Sequence, residues 1–348
     1  MVMADTTVPI RDSGWQPGSM SRIRTVPVRR AAGYSRHLSS ERARKGVTEM
    51  TQRTLSTVVE GYSYLEGPRW HDGKLWVSDF YTHKVFTVTP DGTTEDVATV
   101  PQQPSGLGWL PDGRLLIVSM KDRKLLRREH SGELVEHADL SHLVTGHIND
   151  MVVDAQGRAY VGNFGFDLMG GAAFKAATLV KVDPDGAASV VADGLKFPNG
   201  SVITPDGGTL IVDETFGNRV SAFDIRPDGT LGPRRDWADF GPLPDTDVVA
   251  DLVGASAIGP DGNSLDAEGA LWVADAIHHR VVRVAEGGAV LEEISTGEDG
   301  VFACALGGAD GRTLFLCVAP NFDETERKSS RLGRLLSTRV DVPHAGLP

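Results

Sequence analysis

Only two cysteines occur in the 348 residues, Cys304 and Cys317. So few exclude a disulfide-stapled secreted framework. Aromatic residues are sparse at 7%. No apolar run is long enough for a membrane-spanning helix, so no membrane partner is expected. Basic residues are in deficit, 35 against 47 acidic, for a net charge of −12. That balance argues against a nucleic-acid partner, whose phosphates demand cationic surfaces. A Gly-Xaa-Ser-Xaa-Gly nucleophile elbow is missing, which argues against a serine esterase. Arg29-Arg30 lacks the apolar stretch an export signal requires, so the expected location is cytoplasmic.

The positive charge is concentrated at one end. Residues 1–50 carry nine Lys/Arg against four acids, a net of +5, which leaves −17 for the remainder. The first 49 residues are rich in Ser, Arg, Gly and Pro and show little helix or strand periodicity. The sequence predicts two parts: a disordered, dispensable basic extension over 1–49 and a folded acidic body over 50–348.

Glycine is plentiful, at 40 residues, and it recurs in phase with strands. A turn phrase is repeated along the body, with its glycine at Gly73, Gly113, Gly157, Gly207, Gly269 and Gly311. The spacings are 40, 44, 50, 62 and 42 residues. Asp-Gly or an analogue supplies the positive φ of a tight hairpin turn. The run that follows each turn, such as Leu75–Ser78 or Leu271–Ala274, has the composition of a buried strand. Periods near forty residues, with about four strands each, predict an all-β fold, a six-bladed β-propeller. The sixth repeat runs one strand short. Residues 334–341 supply its third strand, and an N-terminal strand over 54–59 would close the ring and cover the open edge. The long Gly207–Gly269 spacing predicts a surface insertion around 233–251.

Each turn is preceded by the strand that lies innermost in a propeller. Counting back seven or eight residues from each turn glycine reaches its first residues: Glu66-Gly67, Ser105-Gly106, Asn149-Asp150, Asn199-Gly200, Asp261-Gly262 and Ala303-Cys304. Four of these six positions bear an oxygen donor: Glu66, Asn149, Asn199 and Asp261. Equivalent positions on radial strands converge on the channel axis. Carboxylates gathered there repel each other unless a cation intervenes. An oxygen-only set suits one hard divalent cation, Ca²⁺ first, with Mn²⁺ or Mg²⁺ as alternatives. Zn²⁺ is less expected, because no His or Cys belongs to the set.

Several other residues have plain structural readings. Asp79, Asp213 and Asp275 recur at strand ends and are expected to hold turns or bridge blades. Glu214 is a lesser site candidate. His278-His279 are expected in a surface turn, since adjacent side chains on a strand point apart. Cys304 and Cys317 are expected to face each other across two strands as buried thiols.

The segments Glu66–Trp70, Ile148–Arg158, Pro198–Ser201 and Pro260–Gly269 resemble the senescence marker protein/gluconolactonase/luciferin-regenerating-enzyme-like family, which includes regucalcin. The resemblance spans about residues 54–343. It implies a propeller with a divalent metal ion in the channel, held by Glu66, Asn199 and Asp261. It implies that Asn149 ligates the metal or contacts substrate beside it. It further implies a metal-dependent hydrolase that opens a small lactone or ester, as a monomer or small homo-oligomer. Asp261 is then expected to serve as ligand and general base. The family's sugar-lactone hydrolases place Arg two positions before that Asn, where this chain has His147. His147 becomes a substrate-binding candidate, and a sugar lactone becomes a less expected substrate. The alternatives are a non-catalytic calcium-binding or regulatory propeller, and a phosphotriester (organophosphate) hydrolase using the same metal.

Overall fold

A computed structural model of the chain describes residues 53–346. The extension expected over 1–49 lies outside the described residues. The body forms six four-stranded sheets, each antiparallel from its inner to its outer strand. The inner strands are Leu65–His71, Pro104–Trp109, Ile148–Val153, Pro198–Ile203, Pro260–Leu265 and Gly300–Gly307. Five of these begin within one residue of the predicted pairs; the sixth begins at Gly300, three residues ahead of the predicted Ala303, and Phe302-Ala303 takes the equivalent place beside Gly262. The architecture is the six-bladed all-β propeller the repeats predict.

Closure follows the expected route. Ser56–Tyr62 pairs with Gly333–Arg339, which supplies the outer edge of the sixth blade. Register Ser56↔Ser337 and Thr57↔Leu336 fixes the join. Burial grades outward within a blade. All six residues of Ile148–Val153 are buried, whereas Thr94–Thr99, at the rim of the first blade, has none fully buried. That gradient explains why inner strands read as continuous apolar or small runs and outer strands as polar ones.

Every inner strand has a register irregularity at its start, for example between Glu66 and Arg69 or between Pro198 and Ser201. An extra residue there bends the strand and re-aims its side chains. The glycine that follows the donor has a packing reason. A Cβ on Gly200 would lie 2.2 Å from the Asp261 carbonyl oxygen, and one on Gly106 would lie 2.6 Å from the Met151 nitrogen. Neighbouring inner strands approach too closely for a side chain there.

The chain's insertions lie at one end of the channel. The hairpins joining first to second and third to fourth strands face the opposite end and are short, apart from 225–234 in the fourth blade. The connections at the donor end include 164–176, 240–259 with helix α1 (Val249–Ala255), and 320–332 with helix α2 (Glu324–Ser329). One sequence expectation needs correction here. Within the expected insertion over 233–251, Arg235–Asp239 is the outer strand of the fourth blade, paired with Arg219–Asp224. Trp237 and Ala238 in that strand are buried, which is what recruits it into the sheet. The true insertion begins after it. Among the described residues no helix is long and apolar enough to cross a membrane.

The two cysteines also differ from expectation. Cys304 pairs with Leu316 and Cys317 with Ala303, so they sit on opposite faces of the sixth blade. The Cys304 thiol donates towards the Gly262 and Trp272 carbonyl oxygens at 3.5 and 3.4 Å. Both are buried free thiols, and burial raises the pKa of each.

Candidate active site

Glu66, Asn149, Asn199 and Asp261 come together at the donor end of the channel and line one cavity of about 300 Å³. Four different blades supply them, each from the start of its inner strand. Asn149, Asn199 and Asp261 are buried, and Glu66 is half-buried. Ser105, the corresponding residue of the second blade, also lines the cavity.

Hydrogen bonds hold the amides in place. Asn149 Nδ2 donates to Asn199 Oδ1 at 2.9 Å, and Asn199 Nδ2 donates to Thr215 Oγ1 at 3.1 Å. Thr215 in turn donates to the Pro260 carbonyl at 2.8 Å, which ties the fourth blade to the fifth. Asn149 Oδ1 is buried without a hydrogen-bond partner. Glu66 accepts only from its own neighbour, Gly67 N, at 3.2 Å. Counting strand starts misses Thr215, which opens the short turn after the second strand, where Phe80, Phe164 and Ala276 stand in other blades.

The carboxylates are electrostatically uncomfortable. Burial, followed by the charge of Asp150, pushes Glu66 up to about 8. Burial and then the charges of Glu66, Asp213 and Asp150 hold Asp261 well above the usual carboxylate range. Burial and like charge both disfavour the ionised form, and an opposite charge placed between the two carboxyl groups would relieve both. Among the described residues, no group of three or more His, Cys, Asp or Glu side chains is placed to hold a metal ion. A site here therefore depends on its two amides as well as its two carboxylates. The unpartnered Asn149 oxygen and the raised carboxylates fit a hard cation with oxygen ligands.

Beneath this layer the channel stays polar. Asp150 stands where the first, second, fourth and fifth blades have glycine, and its carboxylate accepts from Arg69 at 3.1 and 3.2 Å. Arg69 also donates to the Met151 carbonyl at 2.8 Å. Asp213 is fully buried, and neither carboxylate oxygen has a hydrogen-bond partner. Burial holds its pKa well above the usual range.

Asp213 therefore departs from the strand-end reading that suits its two counterparts. Asp79 accepts from Ser63 and Tyr64 backbone nitrogens at 3.1 and 3.0 Å, and Asp275 accepts from Gly259 N at 2.9 Å. In the fourth blade the equivalent residue is Glu214, which pairs with Pro198 as Asp79 pairs with Leu65 and Asp275 with Pro260. Glu214 is fully buried against Arg219 at 2.9 Å and accepts from Lys196 N at 2.7 Å. It is a structural anchor, and Asp213 lies one residue out of phase with the pattern.

The histidines are distributed differently from expectation. His147 is half-buried and is not among the cavity-lining residues; its ring lies 5.8 Å from that of Phe164. Burial, and then the Lys121 charge, lowers its pKa. His278 sits in the expected turn and meets Asp275 at 3.0 Å. His279, in the left-handed region at φ 51°, lines the cavity.

Aromatic rings from several blades contribute to the cavity wall. On one side Tyr64 contacts Phe302, Phe80 and Tyr81, with ring centroids 4.8, 5.2 and 6.2 Å apart. On the other, Phe197 lies 4.5 Å from Phe164 and 5.2 Å from Phe216.

Comparison with known proteins agrees with the fold. The family model described as SMP-30/gluconolactonase/LRE-like region matches residues 65–320. A 6-deoxy-6-sulfogluconolactonase of Pseudomonas putida is 26% identical over 306 residues, covering 85% of this chain and 98% of its own. A pentonolactonase of Haloferax volcanii is 26% identical over 305 residues, covering 85% and 97%. Among solved structures, regucalcin of Agrobacterium tumefaciens, described as a calcium-binding protein, superposes with TM-score 0.69 at 21% identity, over 85% of this chain and 97% of that one. A gluconolactonase of Xanthomonas campestris gives TM-score 0.63 at 22% identity, over 85% and 92%. With nearly three quarters of its length matched, this chain belongs to the SMP-30/gluconolactonase/LRE-like family.

Proposed function

We propose that this protein is a metal-dependent hydrolase that opens a small lactone to its hydroxy acid. One observation carries the reading. Four oxygen-bearing side chains from four blades line one cavity, with their carboxyl pKa values raised and one amide oxygen unpartnered. Relatives named for lactone hydrolysis support the substrate class.

Glu66, Asn199 and Asp261, with Asn149 beside them, are the residues that would hold a divalent cation, Ca²⁺ first. Bound there, such an ion supplies Lewis acidity to a carbonyl oxygen and lowers the pKa of water. The chain's own contribution is positioning and proton transfer. Asp261 takes a proton from the water that attacks the lactone carbonyl carbon. The ring C–O bond then breaks, and the proton passes to the departing alkoxide to give the hydroxy acid. The Asn149–Asn199–Thr215 hydrogen bonds keep the donors in register through these steps. The surrounding aromatic wall excludes bulk water and so strengthens each electrostatic contact.

A purely calcium-binding propeller would have no use for a cavity beside its donors, so the cavity favours turnover. The test uses metal-stripped protein and a lactone panel, with and without Ca²⁺, Mn²⁺, Mg²⁺ and Zn²⁺. Ring opening faster than in metal-containing buffer supports the hydrolase. Metal binding without any turnover would overturn it and leave the binding-protein reading.

A further inference from the structure

The cavity above the donors has an unusual chemical balance for a lactone site. Eight of its lining side chains are aromatic, and no Lys or Arg lines it. Apart from the four donors, its polar side chains are few: Ser105, Thr215, His279 and Asn321, together with the Tyr64 and Tyr81 hydroxyls. A polyhydroxylated ring needs a hydrogen-bond partner for each hydroxyl it buries. A sulfonated or phosphorylated sugar needs a cation as well. This wall supplies neither in number.

The apolar surface continues outward. Leu168 and Met169 from the third blade, Val249 and Val253 of α1, and Phe322 just before α2 carry it to the rim. Phe322 is 58% exposed and Met169 36%, two of the few large apolar side chains that the described residues leave to solvent. Val248, beside Val249, is 49% exposed. Each rim segment is a departure from the repeat, and each is anchored. Asp323 caps α2 by accepting from Glu326 N at 2.8 Å, and Lys121 pairs with Glu324 at 2.9 Å. Phe174 N donates to the Asp247 carbonyl at 2.7 Å, joining two of the insertions. Exposed apolar side chains held around a cavity mouth mark a surface built to be covered by ligand.

We infer that the substrate is a lactone bearing a bulky apolar substituent, an alkyl chain or aryl group, which lies along the aromatic wall while the ring carbonyl meets the donors. The inference rests on the lactone-opening reading for the reaction, and on the wall alone for the substituent. Tyr64, Phe302, Phe197 and Phe216 flank the inner part of the substituent, and Met169 and Phe322 its outer end.

The experiment compares δ-valerolactone, δ-decalactone and glucono-δ-lactone with the full chain at saturating metal. Burial of the pentyl chain raises kcat/KM for δ-decalactone at least about tenfold over δ-valerolactone, because each buried methylene adds to binding. Glucono-δ-lactone is the poorest of the three. Phe322→Ser with Met169→Gln, both exposed enough to spare folding, reduces the decalactone-to-valerolactone ratio by about threefold or more. A binding arm is independent of turnover: calorimetry with the unreactive δ-lactams, bare and pentyl-substituted. Tighter binding of the substituted lactam supports the inference even if no lactone is opened, an outcome that would sink only the hydrolase reading. Equal lactam affinities overturn the inference. So does glucono-δ-lactone matching δ-decalactone, a result that would leave lactone hydrolysis intact.

Discussion

The two ends of the channel are built from the same strands and have become different surfaces. At one end, the repeated hairpin turns surround a depression of about 780 Å³, edged by elements such as Pro111, Gln156, Thr204 and Pro227. At the other, three long connections, 164–176, 240–259 and 320–332, stand among short turns such as 80–83 and 276–279, and together they line a cavity of about 300 Å³ above four oxygen-bearing side chains. The repeated end conserves backbone geometry, since each turn needs a residue at positive φ, as at Gly113 (φ 85°) and Gly157 (φ 83°). The donor end repeats a positive φ in its short turns as well, at His83 (φ 60°), Arg123 (φ 58°), Asn218 (φ 50°) and His279 (φ 51°), but without glycine, so the side chains there vary between blades. Its strand starts and connections are free to differ between blades, and the candidate chemistry sits there.

The strongest way to break this contrast is one carboxylate at the donor end. Asp261→Asn keeps size but removes charge and basicity, and turnover at saturating metal is expected to fall about 100-fold or more. Asp206→Ala, in a hairpin turn of the opposite end, is expected to leave turnover unchanged. Full turnover in Asp261→Asn would remove it as the base. Loss in Asp206→Ala would erase the distinction between the ends.

Next comes metal affinity. Glu66→Gln is expected to weaken Ca²⁺ or Mn²⁺ binding by about 100-fold, because ligand charge sets affinity in oxygen sites. Ser105→Ala, at the equivalent strand start without a charged donor, is expected to change it little. Titration calorimetry checks both, and equal losses would count against the donor assignment.

A third experiment separates the ring from both ends. Removing residues 1–49 is expected to leave the thermal midpoint unchanged. Removing residues through Val59 takes away part of the pairing of Ser56–Tyr62 with Gly333–Arg339. It is expected to lower the midpoint by about 10 °C, since an unpaired blade edge loses its ladder and its covering contacts. Matching midpoints would contradict closure through that strand.

The smallest expected effect is a pH slope confined to the donor end. Glu66 is raised to about 8 in the folded, metal-free chain and returns to the ordinary carboxylate value on unfolding. The folded state then binds more protons than the unfolded state between those values, so stability falls as pH rises through that window. The metal-free midpoint is expected to drop by about 5 °C between pH 5 and pH 8. Added Ca²⁺ is expected to flatten the slope and to stabilise most at pH 8. A metal-free midpoint that rises over this range would show that the carboxylates are not held in the protonated form.

The repeated end was legible in the sequence for a plain reason. Turn glycine and buried strand recur together, so Gly73 through Gly311 mark six blades, and the short sixth repeat points to the closing strand. The donors were legible by the same arithmetic, because equivalent positions on radial strands must converge. What lay off the repeat was harder. Asp213 looked like Asp79 and Asp275 because all three stand near a strand end, yet strand pairing gives that position to Glu214 and leaves Asp213 one residue earlier, buried with neither carboxylate oxygen hydrogen-bonded. Cys304 and Cys317 were symmetric about a turn, but a one-residue offset in register puts them on opposite faces. Arg235–Asp239 read as insertion until burial of Trp237 showed it to be a blade edge.

By itself the sequence determined the number of blades, the closing strand and the four oxygen donors, because each rests on periodic demands that a linear chain displays. Only the tertiary structure decided what surrounds the donors. Phe80 and Phe164 hold equivalent places after their second strands, where other blades have Met120, Thr215 and Ala276, whereas Phe322 belongs to a long connection outside the repeat. His147 lies two residues from Asn149 yet does not line the cavity. Side-chain identity in these connections obeys no period, so the wall forms only when the ring has closed and brought the blades to a common axis.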